Sequence, residues 1–77
     1  MENLKNHVEI NPLIMVGKPI IKGTRITIES IMEELAAGYS IQQILKAHPN
    51  LQESDILAAL QYVATIMKNE KVYTASV

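Results

Sequence analysis

Residues 15–25 read Met-Val-Gly-Lys-Pro-Ile-Ile-Lys-Gly-Thr-Arg, and the layout of the whole chain turns on them. Gly17 and Gly23 suit backbone positions of positive φ, and Pro19 fixes φ where the chain enters a short strand. That strand spans residues 20–22. The alternating residues 7–10 are its natural partner, so a small β-hairpin is expected at the N-terminal side of the domain. Lys18, Lys22 and Arg25 crowd the segment, and no acidic residue falls between Glu9 and Glu29, which gives residues 10–28 a local charge of +3. Two readings follow. One is a hairpin with solvated cations; the other is an anion-facing loop that meets nucleic-acid phosphate.

Downstream the pattern turns helical. Ile28, Ile31, Met32 and Leu35 recur at the spacing of one helix face, with Thr27 as N-cap and Gly38 just past the C-terminus. Ser40 caps a second helix, where Gln43 completes a capping box and Tyr39 is placed to staple Ile44. Ile41, Ile44 and Leu45 form its buried side, and His48-Pro49 closes it. A third helix is predicted from about Glu53 to Asn69, stapled by Leu51 and Ile56. Ile56, Leu57, Leu60, Val63, Ala64 and Met67 read as a single wide apolar stripe along it. The fold class is therefore mostly α: a trihelical helix-turn-helix domain preceded by a short β-hairpin. Its limits are residues 8–70, between a weakly held N-terminus at 1–7 and a β-prone tail at 71–77.

A chain of 77 residues makes one domain, and at this size only ~60% of the unfolded surface is buried. The sequence has no cysteine, hence no disulfide or thiolate site, which fits a reducing cytoplasm. Two separated histidines give no metal cluster, and no apolar run reaches the ~20 residues of a membrane span. A net charge of −1 speaks against strong sequence-independent DNA binding by a monomer. Small size, the apolar Ile14-Met15-Val16 run and the β-prone tail together favour a homodimer.

The strings Gly17-Lys18-Pro19-Ile20-Ile21-Lys22-Gly23-Thr24-Arg25-Ile26, Leu35-Ala36-Ala37-Gly38-Tyr39-Ser40 and Asp55-Ile56-Leu57-Ala58-Ala59-Leu60 resemble the bacterial domain-of-unknown-function family 433. The resemblance covers roughly residues 8–63. It implies a winged-helix-like or homeodomain-like fold and an antitoxin-type role beside a toxin with a PIN-like nuclease fold. Three departures stand out. Val16 occupies a position where the family usually has glycine, and Asn11 one where it usually has an acid. Gln52-Glu53-Ser54-Asp55 replaces the favoured Thr-Pro-Glu-Asp, and glutamine is a poorer N-cap than threonine by ~1 kcal/mol.

Two functional surfaces are expected. For operator DNA, Lys18, Lys22 and Arg25 would clamp phosphates, Gly23 and Thr24 would offer backbone N–H groups, and Gln52 would read adenine. Against this, Glu53 and Asp55 in the first turn of the third helix would meet phosphate repulsion, and Arg25 has Glu29 within reach as an ordinary salt-bridge partner. For a protein partner, Tyr62, Lys68, Lys71, Val72, Tyr73 and Val77 form a C-terminal stretch suited to strand addition, with lysines facing an acidic nuclease centre. The alternative to an antitoxin is a protein-interaction module that never touches DNA. No enzyme is expected. Gly17-Lys18-Pro19 lacks the glycine spacing and the Ser or Thr of a phosphate loop, Glu33-Glu34 reads as a solvated helix face, and no cofactor is implied.

Overall fold

The computed structural model describes residues 6–69. Two strands, β1 (Val8–Glu9) and β2 (Ile20–Ile21), precede three helices, α1 (Ile28–Ala36), α2 (Ile41–Ala47) and α3 (Glu53–Asn69). The strands pair antiparallel, Val8 with Ile21 and Glu9 with Ile20, and Ile20 also bridges to Thr27. Two-residue strands cannot hold a sheet alone, so the hairpin depends on the helices beneath it. Ile20 and Ile21 supply that dependence, both buried, and Ile21 joins Ile28, Ile31, Ile44, Leu51, Ile56 and Ala59 in one core. Residues 1–5 and 70–77, the segment read as a β-prone tail among them, lie outside the described residues.

Local chemistry sets each helix boundary. Thr27 Oγ1 accepts from the Ser30 N–H at 3.0 Å and so caps α1. At its other end Gly38, with φ +99°, completes a Schellman motif in which Tyr39 N–H donates to Glu34 O and Gly38 N–H to Leu35 O. Ser40 and Gln43 form the reciprocal capping box of α2, at 3.1 and 2.8 Å. At α3 the expected weakness of Gln52 is offset from within the helix. Asp55 Oδ2 reaches back to accept from Gln52 N–H at 2.9 Å, satisfying one of the orphan donors. Its other oxygen, Oδ1, hydrogen-bonds His7 Nδ1 at 2.9 Å, which ties the flank of β1 to the start of α3.

Two expectations change. Glu34 is not part of a solvated face: it is half-buried, and its Oε2 bonds His48 Nε2 at 3.2 Å, linking α1 to the end of α2. The single wide stripe of α3 divides in two. Ile56 and Ala59 are buried and Val63 packs on the core, whereas Leu57, Leu60, Ala64 and Met67 face outward. At ~100° per residue Leu57, Leu60 and Ala64 point away from the buried set, whereas Met67 shares the direction of Ile56 and is exposed because it lies beyond the last residue packed on the core, Val63.

Candidate interaction site

The connection between β1 and β2 takes up residues 10–19 and is built as an apolar knuckle. Asn11 opens it: its side chain accepts from Leu13 N–H at 2.9 Å, and its carbonyl accepts from Ile14 N–H. Met15, Val16 and Gly17 then follow one another at φ +51°, +57° and +78°. Gly17 N–H closes onto Ile14 O, and Lys18 N–H onto Met15 O. A left-handed turn of three residues is costly for side-chain-bearing positions, most of all for β-branched valine. The turn thrusts Leu13 and Val16 into solvent, 91% and 93% exposed, and leaves Ile10 and Met15 partly exposed beside them.

An open cleft of about 510 Å³ lies against this knuckle, lined among others by Ile14, Glu9, Gly23, Thr24, Arg25 and Asn50. Gly23, Thr24 and Arg25 are thus brought together near the approach to α3, as a phosphate-facing loop would require. The donors of Thr24 are committed within the turn. Thr24 N–H bonds Ile21 O at 3.0 Å, and Thr24 Oγ1 both donates to Ile21 O and accepts from Ile26 N–H. Glu9, an acidic residue, also lines the cleft.

Lys18 is placed differently from the expectation. Its Nζ donates to Glu29 Oε1 at 2.9 Å, so Glu29 pairs with Lys18 across eleven positions and not with Arg25. That hydrogen bond and the charge of Glu29, aided by Glu33, hold the Lys18 ammonium above the ordinary lysine range. Lys22 and Arg25 are exposed. Gln52 and Glu53 are exposed at the start of α3, which presents an acid beside the residue expected to read adenine. Of the expected C-terminal surface, Tyr62 packs against the core and Lys68 is exposed in the last turn of α3. Lys71, Val72, Tyr73 and Val77 lie outside the described residues. The knuckle itself was legible only as an apolar run; of its left-handed path, Gly17 was expected at positive φ, and the extension to Val16 was signalled by a valine standing where the family usually has glycine.

Among the described residues no cluster of three His, Asp or Glu groups is arranged to hold a metal, and no helix is long and apolar enough to cross a membrane. The architecture defines a small hairpin-plus-trihelical domain whose distinctive surface is a loop. Residues 8–63 match the family described as "Protein of unknown function (DUF433)", and the chain belongs to it. It is similar to the uncharacterized protein y4eO of Sinorhizobium fredii (strain NBRC 101917 / NGR234), at 34% identity over 55 residues. That match takes in 71% of this chain and 25% of the relative, so the chain spans about a quarter of its length. The crystal structure of a DUF433 member protein from Anabaena variabilis ATCC 29413 superposes with a TM-score of 0.78 at 26% identity, covering 84% of this chain and 64% of that one.

Proposed function

We propose that this domain works by capturing another protein, as an antitoxin holding a PIN-like nuclease, and that the knuckle of residues 10–17 is its contact. One observation carries the reading. Val16 sits at φ +57° with 93% of its surface in water, so the fold bears backbone strain there and gains no burial in return. Strain that serves no packing purpose is characteristic of sites made for a partner. Leu13 of the same loop is equally uncovered, and exposed apolar side chains gathered on one turn are the kind of surface that marks a protein-interaction site.

Operator binding is the second reading, favoured by the exposed Lys22 and Arg25. It is the weaker one. Lys18 is paired with Glu29, Thr24 is committed within its turn, and two acidic residues stand nearby in the expected contact region, Glu9 lining the cleft and Glu53 exposed in the first turn of α3. Co-expression with the product of the adjacent gene tests both. Leu13→Asp and Val16→Asp should abolish co-purification while leaving the helical circular dichroism unchanged, because neither side chain is packed. Retention of the partner by both variants would refute the contact. A salt-dependent shift of upstream DNA that is lost in Lys22→Ala with Arg25→Ala would establish the second reading.

A further inference from the structure

The outward stripe of α3 has a regular form. Leu57, Leu60, Ala64 and Met67 are spaced three, four and three apart, the a and d positions of a two-helix seam, and all are exposed, Leu57 at 52%, Leu60 at 39% and Met67 at 55%. They extend ~15 Å along a helix whose opposite side already packs on α1 and α2. Flanking the seam, Thr65 and Lys68 are exposed and Gln61 is half-buried, and Ile66, 37% exposed, lies on another side of the helix, about 100° from Met67. The ends of the seam carry opposite charge. Glu53 stands four residues before Leu57, and Lys68 four residues after Ala64, both exposed.

From this arrangement we infer that a second copy of the chain covers the stripe, through antiparallel pairing of two α3 helices about a two-fold axis. Antiparallel pairing sets Leu57 against the partner's Met67 and Leu60 against the partner's Ala64, so the middle of the seam matches a large side chain to a small one. It also brings each Glu53 toward the partner's Lys68 and opposes the two helix dipoles. Parallel pairing would bring Glu53 to Glu53 and Lys68 to Lys68. The surface is distinct from the knuckle, so a dimer leaves Leu13 and Val16 available to another protein. A seam of one helix per chain is smaller than the ~800 Å² per partner of a standard interface, so the dimer is expected to dissociate in the micromolar range.

Sedimentation equilibrium of the full chain over micromolar to millimolar concentration is the test, with circular dichroism to verify that each variant is folded. Leu60→Glu should weaken association by about a hundredfold, since two carboxylates per dimer enter an apolar seam. Leu57→Gln is the milder companion should that variant fail to fold. Glu53→Lys and Lys68→Glu should each weaken the dimer by about tenfold, converting two attractions per dimer to repulsions. An equimolar mixture of the two should associate as the parent does. A parent that remains monomeric throughout, a Leu60→Glu chain that associates normally, or single charge variants without effect would overturn the inference. A parent that dimerises only when truncated after Asn69 would equally overturn it, since the chain's own tail would then be the cover.

Discussion

Replacing Val16 by glycine should make the protein more stable, although it removes a side chain and adds nothing. In the folded state Val16 holds φ +57° and ψ +33°, the left-handed region, where an L-residue is disfavoured by ~1–2 kcal/mol and a β-branched one belongs at the upper end. Only a few per cent of the side chain is covered, so truncation forfeits at most about 0.2 kcal/mol of burial. Glycine brings its own penalty, an additional ~0.5–1 kcal/mol of backbone entropy lost on folding. The balance is a gain of about 1 kcal/mol, equivalent to a rise in Tm of about 4–8 °C for a domain of this size. Urea unfolding followed by circular dichroism measures it directly, the midpoint rising at constant slope. Val16→Ala retains the Cβ and sheds only the branch, so it should recover less than the glycine variant. A glycine variant with an unchanged or lowered midpoint would refute the claim that strain resides in this turn. The same substitution should weaken partner capture, so that stability and binding move in opposite directions.

Other perturbations bear on the frame. Asp55→Ala removes both the cap on α3 and the bond to His7, and should cost about 2 kcal/mol in urea unfolding; Asp55→Asn keeps an acceptor and should cost about half as much. Gly23→Ala should cost about 1 kcal/mol by thermal unfolding. A Cβ there meets nothing within 4 Å, so the penalty is that of φ +81° alone. The Lys18–Glu29 pair supplies an alkaline signature. Because folding raises the pKa of Lys18 above its ordinary 10.5, any stability from the pair is present below that pH and is lost as pH rises through the raised value. The difference in Tm between parent and Lys18→Met should therefore shrink between pH 9 and pH 12, and a constant difference would show that the charge pair contributes nothing.

The helical part of the fold was legible because its signals are local. Thr27, Ser40 with Gln43, and Gly38 each mark a boundary through bonds to residues three to five positions away, and the structure uses them as the sequence suggests. The hairpin partners were legible as well, since Val8 and Ile20-Ile21 are apolar where the core requires it. Pairings across the fold were less accessible. Lys18 finds Glu29 only because the knuckle folds back over the start of α1, and His48 finds Glu34 only once α2 has docked on α1. The division of the α3 stripe was hidden for a related reason: periodicity reveals that residues share a helix, whereas the number of neighbouring helices decides which of them are covered.

The bond between His7 and Asp55 has a consequence for the order of events in folding. It joins residues 48 apart in the chain, so it can close only after the three helices have assembled and the strand flank has been drawn across them. A contact of such long range belongs to the final descent from the transition state. Its removal should therefore accelerate unfolding far more than it slows folding. The Asp55 carboxylate acts in this sense as a latch on lifetime: it governs how long an assembled molecule stays closed, and with it how long the knuckle keeps its shape between openings.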